Sequence, residues 1–216
     1  MTDYSRLREQ MVQRQIAARG VRSEMVLRAM LKVPRERFLP QGRAASAYDD
    51  GPLPIGDGQT ISQPFIVAYM TEALALEGGE KVLEIGTGSG YAAAVLAEIA
   101  ADVYTIERIE GLAVMASAVL DDLGYDNVHV RQGDGTLGWP EHAPFDGIVV
   151  TAGGPDVPDT LKHQLKVGGR LVIPIGTSTW YQKLVRVTRI TETEFDTEDL
   201  VPVRFVPLIG EEGWDS

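Results

Sequence analysis

The 216-residue chain has no cysteine, which excludes disulfides, zinc-thiolate sites and thiol nucleophiles. Histidine is nearly absent too. His129, His142 and His163 are scattered, their spacing suits no metal site, and each reads as a surface or structural residue. Positive charge is in short supply: 20 Lys and Arg stand against 31 Asp and Glu, a net charge of −11. A surface of that sign repels a phosphate backbone, so nucleic acid is not an expected partner. Long apolar runs are missing as well. The most apolar stretches, such as residues 92–101, fall short of the ~18 residues of a spanning helix, so no membrane association is expected. The first residues lead into polar amphipathic sequence rather than the apolar core of a signal peptide, which makes a cytoplasmic location the expectation. The length suits a single domain over residues 1–216.

What is present is alternation. Leu7, Met11 and Ile16 mark an amphipathic helix that Gly20 ends, and Ser23 caps a second, carrying Val26, Leu27 and Met30, which Pro34 stops. Residues 48–63, rich in Gly, Pro and Asp, read as a long surface loop. Strands follow at 81–85, 102–106, 127–131, 147–151 and 170–174, with helices at 89–99, 110–123 and 159–165. Strand-helix repetition predicts an α/β fold with a mostly parallel, doubly wound sheet. Two successive strands at 183–190 and 201–206 predict an antiparallel addition near the C-terminus.

Between the first of these strands and its helix lies EIGTGSGY, residues 84–91. Glycines at a strand-to-helix turn let a ligand approach the backbone. The spacing is G-x-G-x-G, with Tyr91 where a dinucleotide fingerprint needs a small residue, and no phosphate-binding Lys follows. Glu84, two residues before Gly86, would repel a pyrophosphate but suits a ligand with an amino group and a sulfonium, which S-adenosyl-L-methionine has. Glu107, about 20 residues beyond the glycines, can accept from both ribose hydroxyls, and Asp134, followed by Gly135, can meet the adenine amino group. With Gly86 and Gly88, these residues describe an acidic, adenosine-shaped site.

Those residues, together with VPRERF (33–38), LPIG (53–56), GQTISQP (58–64), VLEIGTGSGY (82–91), GDG (133–135), PFD (144–146), VGG (167–169) and RFVPL (204–208), resemble the protein-L-isoaspartate O-methyltransferase family over nearly the whole chain. Gly153-Gly154 and the tail 209–216 depart from its pattern. The resemblance implies a Rossmann-like sheet of seven strands behind an N-terminal helical segment, its last two strands departing from the usual methyltransferase order. It also implies S-adenosyl-L-methionine as donor, isoaspartyl proteins or peptides as partners, and methyl transfer to the isoaspartyl side-chain carboxylate. Gln59, Thr60 and Ser62 then belong to the cofactor site, with Ser62 as the catalytic contact to substrate.

That reaction needs no protein base. The nucleophile is the substrate's carboxylate, ionised at neutral pH with an unperturbed pKa of about 4, so no essential protein group is expected to titrate between about pH 6 and 8. Ser62 has two readings, N-cap of a helix over 63–76 or hydrogen-bond partner of the substrate carboxylate; a hydrolase nucleophile would need a His-Asp partner. Two other functions fit the same residues: methylation of an ordinary aspartate in one dedicated peptide, and a non-catalytic adaptor for isoaspartyl ends.

Overall fold

The computed structural model describes residues 3–178 and 180–215. Seven strands form one sheet: β3 (Lys81–Ile85), β4 (Asp102–Glu107), β5 (Val128–Gln132), β6 (Phe145–Val150), β7 (Leu165–Ile175), β8 (Gln182–Arg189) and β9 (Phe195–Val203). Their spatial order is β5-β4-β3-β6-β7-β8-β9. The first five run parallel, and β8 is antiparallel to both β7 and β9. The expected α/β sheet with an antiparallel addition is therefore present. The chain lays down β3, β4 and β5 toward one edge and then crosses to β6 on the other side of β3. This reversal opens a crevice at the carboxyl ends of β3, β4 and β6, the usual place for a ligand in open sheets.

Alternation along the strands builds an apolar layer on each face of the sheet. Leu83, Ile85, Ile148, Val150, Leu171, Ile173, Val185 and Val187 point to one face. Val82, Val103, Val149, Val172 and Leu184 point to the other, against Met70 of helix α3 (Pro64–Ala73), Leu74 at its C-cap, and Ala93 and Leu96 of α4 (Tyr91–Ala97). Helix α5 (Glu110–Asp122) packs by β4 and β5, and α6 (Asp159–His163) by β7. A further cluster joins α1 (Tyr4–Met11), its π-helical continuation Val12–Ile16 and α2 (Glu24–Lys32) to Tyr91, Val95 and Leu120. The helical segment thus shares a core with the sheet domain. Ser23 caps α2, accepting from the Val26 N–H, and Gly20 ends the preceding turn in a left-handed conformation, as expected.

Three expectations need correction. Residues 48–63 are not all loop: β1 (Leu53–Gly56) and β2 (Gln59–Ile61) form an antiparallel hairpin. Its turn is Asp57-Gly58, with φ of 49° and 70°, a pair that matches the twist of hairpin strands. Ser62 does not cap α3. Gln63 occupies the N-cap, no side chain accepts there, and Pro64 starts the helix, where its missing N–H costs nothing. Finally, the last strand spans Phe195–Val203 rather than 201–206. Among the described residues, no helix is long and apolar enough to cross a membrane.

Candidate active site

The glycine loop takes its shape from three left-handed residues, Gly86, Gly88 and Gly90, at φ of 96°, 54° and 87°. A Cβ on Gly86 would also collide with the Thr151 hydroxyl. Thr151, at the end of β6, ties the two strand ends together. Its N–H donates to the Ile85 carbonyl at 2.9 Å, and its hydroxyl donates to the Gly86 carbonyl at 2.7 Å.

Three cavities meet at this junction, and Thr60 and Thr151 line all of them. One runs along the loop between Ser62, Gly86, Gly88, Ser89 and Tyr91. A second extends past Gly86, Gly88, Glu107 and Ile109 to Gly135, with Gln59, Pro207 and Leu208 as its outer wall. The third is an open groove of about 660 Å³ between Ser62, Gln63 and Ile66 on one side and Pro202, Arg204, Phe205 and Val206 on the other, within the range of small-ligand sites. At its rim Trp180 is exposed, with the Arg204 guanidinium 4.1 Å from its ring centroid. Ser62 stands on the wall shared by the first cavity and the groove. Its hydroxyl makes no hydrogen bond among the described residues, so it is free to meet a ligand.

The acidic residues take three different positions. Glu107, buried at the end of β4, accepts from the Gly88 N–H at 2.8 Å and the Ile109 N–H at 2.9 Å, one bond to each oxygen. Each oxygen keeps a further lone pair, and Glu107 borders the second cavity. Glu84 lies one layer beneath the loop and borders none of the three cavities. Strand register sets it beside Thr105, whose hydroxyl donates to Oε2 at 2.6 Å and also contacts the Thr87 hydroxyl at 2.6 Å. Glu84 Oε1 is buried without a partner. Burial pushes the Glu84 carboxyl up to about 8 despite the bond from Thr105, and the charge of Glu107 adds to the rise. Asp134 also borders none of the cavities. Its oxygens accept from the Thr136 N–H at 2.9 Å and the Glu211 N–H at 2.8 Å, so it holds its own turn and the C-terminal tail, while Gly135 reaches the cavity wall. A Cβ on Gly135 would strike Ile85. Of the residues singled out from sequence, Gln59, Thr60, Ser62, Gly86, Gly88, Glu107 and Gly135 converge; Glu84 and Asp134 support them from behind.

The two departures noted in the sequence have local causes. A Cβ on Gly153 would run into the Gln182 amide, which brackets the Phe205 backbone, accepting its N–H at 2.7 Å and donating to its carbonyl at 3.2 Å. Gly153 also exchanges backbone bonds with Val206 and Leu208. The glycine therefore allows the RFVPL segment to lie against the crevice. The tail touches the second cavity at Ile209 and is tied down beyond it: Glu212 accepts from the Thr160 N–H at 3.1 Å, and the Trp214 indole donates to the Gly153 carbonyl at 2.8 Å.

Sequence reasoning missed Thr151, Thr105 and Gln182. Thr105 and Thr151 are polar residues inside or at the end of a strand, visible as breaks in an apolar run; Gln182 opens β8 beside Lys183 and carried no such signal.

The acidic, phosphate-averse character of the site suits S-adenosyl-L-methionine on the chemistry of its donors: a paired carboxylate with free lone pairs at Glu107, a buried carboxyl at Glu84 that a bound cation would ionise, and a glycine-loop amide already satisfied. Comparison with known proteins gives the same direction. The chain is 62% identical over 215 residues to protein-L-isoaspartate O-methyltransferase 1 of Rhodopseudomonas palustris (strain HaA2), covering 100% of this chain and 88% of the relative. Among solved structures, a protein-L-isoaspartate O-methyltransferase superposes with a TM-score of 0.87 at 33% identity, over 95% of this chain and 67% of that one. A Plasmodium falciparum protein described as a beta-aspartate methyltransferase, solved with S-adenosyl-L-homocysteine, matches with a TM-score of 0.81 at 25% identity, over 97% and 99% of the two chains. The family model for protein-L-isoaspartate(D-aspartate) O-methyltransferase matches residues 6–213, and the chain belongs to that family.

Proposed function

We propose that this protein transfers a methyl group from S-adenosyl-L-methionine to the side-chain carboxylate of L-isoaspartyl residues in damaged proteins or peptides, the first step of repair through a succinimide. The observation that carries this reading is the meeting of two glycine-loop cavities with a wide groove at Thr60 and Thr151, with Ser62 on the wall between the first cavity and the groove and no histidine among the described lining residues. When bound, S-adenosyl-L-methionine supplies an electrophilic methyl on a sulfonium.

The chain's own residues have three tasks in this account. Glu107 accepts the ribose hydroxyls with the lone pairs left over from Gly88 and Ile109, and Gln59, Thr60 and Gly135 enclose the same cavity. Glu84, beneath Gly86 and Gly88, gives up its proton when the cationic cofactor binds and then acts through its charge, and Asp134 keeps Gly135 in place. Ser62 donates its free hydroxyl to the substrate carboxylate and orients it at the shared wall. No base is required, because the carboxylate arrives ionised. The catalytic gain comes from orientation and from keeping water out of the junction. The groove between Ser62 and Phe205 receives the peptide on either side of the reacting residue.

The test is the fate of a synthetic isoaspartyl peptide incubated with the enzyme and S-adenosyl-L-methionine. Repair predicts a short-lived methyl ester, a succinimide, and gradual accumulation of the ordinary aspartyl peptide. A methyl ester that persists would contradict the repair role, and a dedicated aspartyl methyltransferase would modify the aspartyl twin instead.

A further inference from the structure

Arg35 follows Pro34 at the start of the short 3-10 helix Arg35–Phe38, and it is fully buried. Among the described residues its guanidinium has no carboxylate partner. Nε donates to the Ala47 carbonyl at 2.7 Å, and one terminal nitrogen donates to the Ser62 carbonyl at 2.8 Å. The plane lies 4.7 Å from the centroid of the Tyr91 ring, and the remaining nitrogen, Nη1, is buried without a partner. Burial pulls the guanidinium below its ordinary pKa, with the neighbouring Tyr91 and Tyr48 opposing; an arginine nevertheless stays charged in a protein. A lone buried cation is a costly way to fill space, and an apolar side chain of similar volume is usually at least as stabilising. Space filling alone therefore gives no reason for this one.

Its contacts supply a reason. Ala47 and Ser62 are the two ends of the segment that carries the β1-β2 hairpin, Thr60 and Ser62. Tyr91, under the guanidinium, lines the same cavity as Ser62. One side chain thus fastens both ends of the substrate-facing segment to the first residue of α4, which directly follows the glycine loop. Other ties are narrower: Gln15 donates to the Tyr48 carbonyl at 2.9 Å and holds one end alone, while Gln63 donates to Asp50 at 2.7 Å and joins the two ends to each other without reaching α4.

We infer that Arg35 is a positioning residue for methyl transfer, fixing the Ser62 backbone so that its hydroxyl faces the junction and setting an unneutralised positive charge one hydrogen bond behind it, where an anionic substrate docks. The inference rests on the reading of Ser62 as the carboxylate's partner. The fork geometry holds two carbonyls at once, which a lysine ammonium does not reproduce.

The experiment is a double-mutant cycle between Arg35→Gln and Ser62→Ala, with Arg35→Lys as the charge-retaining variant. It reads kcat and KM for an isoaspartyl peptide, the Kd of S-adenosyl-L-homocysteine, and Tm. Arg35→Gln is expected to lower peptide kcat/KM by roughly 10- to 100-fold, while the Kd of S-adenosyl-L-homocysteine moves by less than about threefold. Arg35→Lys recovers part of the peptide KM, because the charge remains. Ser62→Ala, costly in the parent, should cost little more in the Arg35→Gln background, since coupled residues are non-additive. Additive losses would overturn the inference while leaving the role of Ser62 intact. A harmless Ser62→Ala in the parent would remove the reading of Ser62 and this inference with it. Parallel loss of cofactor affinity and peptide turnover, or unfolding of both Arg35 variants even at saturating S-adenosyl-L-homocysteine, would make Arg35 a stability residue and overturn its positioning role.

Discussion

Glu107 holds the Gly88 N–H at 2.8 Å, so the amide that a phosphate would seek in a glycine loop already faces a carboxylate. In a dinucleotide site the loop amides and the helix start receive the pyrophosphate. Here a pyrophosphate would have to displace a buried anion and then stand beside it. The arrangement selects for an adenosine ligand without phosphate.

The first prediction follows directly. Calorimetry should show binding of S-adenosyl-L-methionine and S-adenosyl-L-homocysteine and none of NAD. Glu107→Ala removes the ribose acceptor and also releases the Gly88 and Ile109 amides, so cofactor affinity should fall by roughly 1 to 3 kcal/mol. An unchanged Kd would put the ribose elsewhere.

Ser62 gives the second prediction, which the structure changes. Because Gln63 and not Ser62 holds the N-cap position, Ser62→Ala should leave Tm nearly unchanged, within about 0.5 kcal/mol of stability. Its peptide kcat/KM should fall by about ten- to a hundredfold through loss of a bond to a charged group. Ser62→Asp replaces the donor with a second anion and should nearly abolish turnover in a folded protein. Full activity in Ser62→Asp would contradict the proposed contact.

Glu84 adds a pH dependence that the sequence reading did not contain. Its carboxyl keeps a proton up to about 8 in the folded chain against 4.5 ordinarily. Between those values the folded state binds more protons than the unfolded state, so this contribution to stability is fully present below about pH 4.5 and is lost as pH rises through 8. Wild-type Tm measured without ligand should therefore decline from pH 5 to 8 more steeply than that of Glu84→Gln. A bound cation favours the ionised carboxylate, so cofactor binding at pH 7 should release a proton, seen as a heat that varies with buffer ionisation enthalpy. Identical pH profiles for the two proteins would show that Glu84 does not titrate in this range. The reacting carboxylate still needs no base, so at saturating cofactor the peptide kcat/KM stays flat between about pH 6 and 8.

Thr151→Val tests the junction itself. The change is nearly isosteric and removes the hydroxyl bond to the Gly86 carbonyl, a cost of about 1 kcal/mol in stability. Because Thr151 borders all three cavities, cofactor Kd and peptide KM should both rise. A variant with lower Tm and unaltered binding would confine Thr151 to structure.

Much of this site was legible because it lies at strand ends whose order the strand-helix alternation implies. Glu107 could be found from its distance beyond the glycines, and Gly86 and Gly88 from their place in the turn. Thr151 could not, because its importance depends on β6 lying beside β3, a long-range pairing. Arg35 was hidden for a different reason: a charged residue in VPRERF reads as exposed, and burial shows only once the 47–62 segment is wrapped over it. The hairpin was signalled by Asp57-Gly58, but its strands have four and three residues and include Pro54 and Gly56, too little alternation to register. Strand β9 is an edge whose exposed polar residues, Thr197, Glu198 and Asp199, blur the apolar pattern. The tail had no periodic signal, since its hold on the fold is a set of hydrogen bonds to Asp134, Thr136 and Thr160.

The most direct test of the central claim is the initial rate of labelled methyl transfer from S-adenosyl-L-methionine to two peptides that differ only in one linkage, isoaspartyl in one and aspartyl in the other. The account predicts rapid transfer to the isoaspartyl peptide and little to its twin, with Ser62→Asp inactive on both. Equal transfer to the two peptides, preference for the aspartyl form, or no transfer by an enzyme that binds the cofactor would contradict it.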